Sequence, residues 1–270
     1  MWDANLGNNM DGYSPANTAA LADVGVSHPL RRKLNSLGFH DEYELRCLVD
    51  NVKLRRSSPR GKDIVGAGNT RGQLTVLLAG VACLYETLKS GERQNYTFYY
   101  PGDFCDLHRY VWSEPAAETA VRALTNCSIG IVECRYLDQA IERNRKLGLA
   151  LWRATMLEAS ILRERLANVS QRPALERVSH LLCEQLHRRR AIGIDSGVIP
   201  LTQIDLADAA GLSVVHMNRV LQDLRKLGVM SASGRKIEVA NWARLAEIAN
   251  FDDRYLTMPA TLSKWEVRTE

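Results

Sequence analysis

Residues 201–240 read LTQIDLADAAGLSVVHMNRVLQDLRKLGVMSASGRKIEVA, and this stretch decides the fold. Thr202, followed three residues later by Asp205, has the spacing of a capping box, in which side chains satisfy the free backbone N–H groups of a helix start. The helix so begun is short, because Ala210-Gly211 supplies a residue that takes positive φ without steric cost. Ser213 is placed to cap a second helix. At about 100° per residue, its Met217, Val220, Leu221 and Leu224 share roughly one third of the circumference and face inward. The opposite arc carries Val215, Arg219, Gln222 and Lys226, flanked by His216 and Asn218. Two helices joined at a glycine, the second presenting Arg, Asn and His near its amino end, match helix-turn-helix geometry. The following segment, Gly228-Val-Met-Ser-Ala, then Ser-Gly-Arg-Lys, then Ile-Glu-Val, adds a hairpin with a basic tip at Arg235 and Lys236: a wing. The expected DNA contacts are Thr202, Gln203, Ser213, Val215, His216, Asn218, Arg219, Gln222, Lys226, Arg235 and Lys236.

Upstream, residues 136–170 contain no proline and one glycine, which predicts a short helix followed by a long one. Leu147, Leu151, Ala154, Leu157, Ile161, Leu162, Leu166 and Val169 form a stripe at three- and four-residue steps. A lone helix between two domains has little local core to cover such a stripe, so it reads as a dimer seam centred on Leu151, Ala154, Leu157 and Ile161. Pro173 suits the first turn of the next helix. Residues 135–190 hold twelve basic and six acidic side chains. Arg188, Arg189, Arg190, Arg225, Lys226, Arg235 and Lys236 are the candidates for neutralising phosphates.

From residue 52 to 133 the texture is that of strands. Short runs at 74–78, 81–85, 96–100, 119–123 and 129–132 alternate with turn signals such as Ser90-Gly91 and Pro101-Gly102-Asp103, the pattern of a β sandwich or small barrel. Before it, apolar residues between 28 and 51 fall at helical spacing and Gly38 divides them into two short helices. The first 27 residues show no period and read as a disordered tail.

A β-rich domain, a long helix and a winged helix-turn-helix, in that order, resemble the Crp/Fnr family of bacterial transcription regulators. Residues 211–221, Gly-Leu-Ser-Val-Val-His-Met-Asn-Arg-Val-Leu, are similar to that family's recognition helix, and Tyr100-Pro-Gly-Asp-Phe104 to the turn before its effector loop. The resemblance implies an α+β chain with an N-terminal β jelly roll of the cyclic-nucleotide-binding type as sensor domain (28–134), a dimerisation helix (135–170) and a winged helix-turn-helix (171–250). Residues 1–27 and 251–270 are expected as tails. It further implies a non-enzymatic homodimer on palindromic double-stranded DNA that also contacts RNA polymerase; an unknown small-molecule effector, or none, stays open. The effector-pocket candidates are Asp103, Cys105, Asp106, Leu107, His108, Ala117, Glu118, Leu162 and Arg163.

The resemblance breaks where the cyclic-AMP-binding branch holds the cyclic phosphate with an Arg-Ser or Arg-Thr pair. This chain has Ala117-Glu118 there, a carboxylate where a phosphate would sit, and Leu162-Arg163 where that branch caps adenine. Control by cyclic AMP is therefore not expected; a cyclic-nucleotide-responsive regulator of the same fold is the alternative. A cupin-like metal enzyme, from another class, would need a His-x-His, and the only histidine from 52 to 133 is His108.

The 270 residues, 46% hydrophobic and 24% charged with a net charge of +4, fit a globular chain rather than a fibrous or disordered one. No apolar run reaches the roughly 18 residues of a membrane span, and the amino end lacks the form of a secretory signal, so a cytoplasmic protein is expected. The six cysteines form no C-x-x-C and residues 1–46 contain none, which predicts free, mostly buried thiols and no metal or other cofactor.

Overall fold

The computed structural model describes residues 28–66, 72–111, 119–231 and 237–257; the expected tail at 1–27 lies outside these. Helices α1 (Pro29–Ser36) and α2 (Glu42–Asp50) open the described chain. Gly38 bends the chain between them at φ +83°. Seven strands follow: β1 (Lys53–Ser58), β2 (Asp63–Val65), β3 (Gln73–Ala79), β4 (Ala82–Thr87), β5 (Arg93–Tyr99), β6 (Ala120–Ala123) and β7 (Cys127–Glu133), with helix α3 (Leu107–Val111) between β5 and β6. They form two antiparallel sheets, in the orders β1-β7-β3 and β2-β6-β4-β5, enclosing Val65, Leu77, Leu84, Tyr99, Val121 and Ile129. Five strands stand where the sequence places them; β1 and β2 are additions. Ser90-Gly91 turns β4 into β5, with Gly91 at φ +84° and Leu88 N–H donating to Glu92 O at 2.8 Å.

Asn144 separates α4 (Cys134–Arg143) from α5 (Arg145–Gln171), and its side chain caps the latter by accepting from Lys146 N–H at 3.2 Å. The short and long helices are thus distinct, as expected. Leu147, Ala150, Leu151 and Ile161 of α5 are buried. The first three pack into a core built from α1, α2, β3, β7 and α4. Two of the four residues expected at the seam are thus covered within one chain. Leu151 and Ile161 are 5% and 3% exposed within the single chain, while Ala154 and Leu157 line a cleft of the same chain. For Leu147 and Leu151 the β domain supplies cover that the sequence reading assigned to a second copy, while Ala154 and Leu157 stay half-buried.

After α5 come α6 (Ala174–Ala191), β8 (Val198–Ile199), α7 (Gln203–Ala210), α8 (Val214–Lys226), β9 (Ile237–Glu238), α9 (Trp242–Ala249) and a 3-10 turn at Asp253–Tyr255. The wing contains one more strand than expected: β9 pairs with β8, and Met230 bridges Val239 on the other side. The chain also stays packed beyond residue 250. Phe251 and Tyr255 flank His180 with ring centroids at 5.2 and 5.8 Å. Burial, then Arg172 and Arg165, depress the imidazole to about 3, so it is neutral.

A buried polar network ties α6 to the β domain. Asp103 pairs with Lys33 at 2.7 Å and with Arg188 at 3.2 Å. Glu184 accepts from Arg165 at 2.8 Å, and Tyr100 Oη donates to Gln185 Oε1 at 2.6 Å. Arg188 and Arg189 are therefore not the phosphate contacts expected: Arg188 serves Asp103, and Arg189 is buried and donates to the Val198 carbonyl. Arg190 pairs with Asp195 at 3.2 Å and lies over the Trp242 ring. Among the described residues no helix is long and apolar enough to cross a membrane, and no group of three or more His, Cys, Asp or Glu is placed to hold a metal. All six cysteines are free.

Candidate nucleic-acid interface

The capping box at the start of α7 is formed in full: Thr202 Oγ1 accepts from Asp205 N–H at 3.2 Å, and Asp205 Oδ2 accepts from Thr202 N–H at 2.8 Å. Gly211, at φ +62°, ends the helix in the left-handed region. Ser213 caps α8 through His216 N–H at 3.2 Å. Met217, Val220, Leu221 and Leu224 are at most 5% exposed and hold α8 onto α6 and α7. The opposite face is open: Val215, His216, Arg219, Gln222 and Lys226 are exposed. Lys226 is held by Asp223 at 2.9 Å.

Besides Lys226, four of the expected DNA contacts have side-chain partners within the chain: Thr202, Gln203, Asn218 and Gln222. Thr202 Oγ1 also donates to Asp205 Oδ2 at 2.6 Å and accepts from Arg60 of the β domain at 3.4 Å. Arg60 reaches Asp205 as well, at 2.9 Å, and Asn95 donates to the Asp205 carbonyl at 3.0 Å. Gln203 Oε1 accepts from Asn218 Nδ2 at 2.9 Å, and Asn218 Oδ1 accepts from Gln222 Nε2 at 2.9 Å. These side chains brace the helix pair, a role their residue types did not distinguish from base contact. Arg235 and Lys236 at the wing tip lie outside the described residues.

A model of the Crp-like helix-turn-helix domain matches residues 176–248, the segment from α6 to α9. The chain is 25% identical over 222 residues to the transcriptional activator protein FnrL of Cereibacter sphaeroides, covering 78% of this chain and 86% of that one. The chain thus carries a Crp-like helix-turn-helix domain and resembles transcription regulators of the Crp/Fnr type over most of its length. It is also 26% identical over 176 residues to the nitrogen fixation regulation protein FixK of Bradyrhizobium diazoefficiens, spanning 64% of this chain and 72% of the relative. The solved structure of FixK2 from Bradyrhizobium japonicum superposes with a TM-score of 0.64 at 24% identity, over 73% of this chain and 96% of that one. That likeness confirms the architecture expected from sequence: a jelly-roll-like β domain, a long helix and a C-terminal helix-turn-helix.

A cleft between the β domain and α5 is lined by Lys33, Thr97, Tyr99, Asp103, Leu157 and Glu158, among others. Of the expected effector residues, Asp103 and Leu107 reach it. Cys105 is instead fully buried between the sheets, where burial pushes its thiol well up. Asp106 accepts from Thr75 N–H at 2.9 Å, and burial raises its carboxyl to about 6. His108 is half-buried on α3. Leu162 is half-buried, and Arg163 is exposed on the outer side of α5; the cleft is lined instead by Leu157, Glu158 and Ile161, on the inner side of that helix. Ala117 and Glu118 lie outside the described residues. Glu158, missed by the sequence reading, accepts from Tyr99 Oη at 2.7 Å, and burial raises its carboxyl. Burial alone would raise Asp103 too, but Lys33 and Arg188 outweigh it and hold that carboxyl below the usual range.

Proposed function

We propose that this regulator acts as a homodimer on a two-fold-symmetric duplex site, each copy placing α8 in a major groove, and that it contacts RNA polymerase from that site. The observation that carries the reading is the division of α8 into a buried apolar face and an open face bearing Arg219 (Met217 is 0% exposed, Val215 65%). Arg219 is the base-reading residue; Ser213, His216, Gln222 and Lys226 flank it. Binding measured by anisotropy across a salt series tests the electrostatic part. Each neutralised phosphate contributes about −0.9 to the slope of log K against log salt, and Lys226→Ala is expected to make the slope shallower by about one per half-site. A slope near zero for the unaltered protein would falsify the reading.

Control by something other than cyclic AMP belongs to the same proposal. Both cations lining the cleft, Lys33 and Arg188, already face the Asp103 carboxylate at 2.7 and 3.2 Å, a fixed anion with which a cyclic phosphate would have to compete. Titration calorimetry with cyclic AMP is expected to show no binding at micromolar ligand, and operator affinity is expected to be unchanged by it. Micromolar or tighter uptake of the nucleotide would reverse the conclusion.

A further inference from the structure

The outward face of α8 carries a feature that phosphate contact and guanine reading do not use. Val214 and Val215, at the amino end of the helix, are 44% and 65% exposed, and neither belongs to the apolar core that receives Met217 and its neighbours. β-branched residues are mediocre helix formers, so two of them on an exposed first turn serve neither propensity nor packing. Val215 lies one turn before Arg219 on the same face, about 6 Å along the axis. That distance corresponds to roughly one to two base steps at about 3.4 Å each.

The rest of the face restricts what it can recognise. Residues 213–222 contain no carboxylate, the side chain that ordinarily accepts from cytosine N4. Asn218, the side-chain type that pairs with adenine, has its amide nitrogen on Gln203 and its amide oxygen on Gln222, each at 2.9 Å. Arg219 remains as the guanine reader. The one apolar group that base pairs display in the major groove is the thymine C5 methyl.

We propose that Val215 reads the C5 methyl of a thymine one to two base pairs from the guanine contacted by Arg219, and so sets the second specified position of each half-site. The inference rests on α8 being the helix that enters the groove. A duplex selected from a random pool with the purified full chain supplies the probe. Each thymine is then replaced, symmetrically in both half-sites, by deoxyuridine, which removes the methyl and leaves every hydrogen-bonding group in place. At one position the replacement is expected to weaken the unaltered protein by about fourfold per half-site, the transfer worth of one methyl group. Val215→Ala, which keeps a good helix former at the position, is expected to bind the thymine duplex more weakly and to respond less than about twofold to deoxyuridine, while keeping its guanine preference. Sequence-specific binding that ignores deoxyuridine everywhere, or equal sensitivity in Val215→Ala, would overturn this inference and leave the DNA-binding reading intact. A chain that selects no sequence at all would overturn both.

Discussion

Replacing Trp152 and Met156 together by glutamate is expected to convert the protein to a monomer and to lower operator affinity roughly a hundred- to ten-thousand-fold. At about 100° per residue the two faces of α5 separate cleanly. Leu147, Ala150, Leu151 and Ile161 lie on the side turned to the protein's own core. Leu149, Trp152 and Met156 follow one another at three- and four-residue steps on the other side, and are 42%, 66% and 47% exposed. A long helix that leaves a tryptophan, a methionine and a leucine in one stripe to water offers an apolar surface on which the proposed homodimer would close. Buried carboxylates without partners cost on the order of several kcal/mol in such a seam. The loss of affinity follows because the second half-site is then no longer held at high effective concentration, a factor of roughly 10²–10⁴. Light scattering reads the oligomeric state and anisotropy the affinity. Leu151→Asp with Ile161→Asp is the contrasting pair: both side chains are buried within one chain, so the expected result is a fall in melting temperature. A Trp152/Met156 variant that remains dimeric would place the seam on another surface.

That pair of faces shows what periodicity can and cannot supply. The spacing of Leu147, Leu151, Ala154 and Leu157 announces a buried stripe on a long helix, but not whether the β domain or a second copy buries it. The answer depends on contacts such as that between Tyr99 and Glu158, 59 residues apart. Arg188 fails for the same reason. It stands in a run of three arginines that reads as an exposed basic surface, yet its partner Asp103 is 85 residues away and buried. β1 went unnoticed because it is an edge strand, paired with β7 alone, and its sequence KLRRSS has the charge that protects such edges. The helix-turn-helix was legible because its signals are local. The capping box, the left-handed glycine, the Ser213 cap and the four inward residues of α8 all lie within 23 consecutive positions, residues 202–224, and each is found where the sequence puts it. What the same stretch hides is the division of labour among its polar residues, since Thr202, Gln203 and Asn218 spend their hydrogen bonds on the fold.

Arg219→Ala is expected to cost about 1–3 kcal/mol in each half-site and to relax preference at one base pair. The side chain is exposed on the open face of α8, while Val220 and Leu221 beside it are buried, so the helix cannot dock without aiming Arg219 outward. In a major groove, guanine O6 and N7 accept two parallel bonds from one guanidinium, a match no other base offers it. If Arg219 touched only phosphate, its loss would weaken all sequences alike and flatten the salt dependence. Arg219→Lys separates the two cases, because lysine keeps the charge and loses the planar fork. The bidentate reading predicts that Lys retains the salt slope but not the base preference. Recovery of both affinity and preference in Arg219→Lys would assign the contact to charge alone. Neither substitution disturbs the cap at Ser213 or the buried face of α8, so the melting temperature is expected to stay within the range of an ordinary surface change, about 0.5 kcal/mol in stability. A variant that unfolds instead would place Arg219 among the residues that brace the helix pair, beside Asn218.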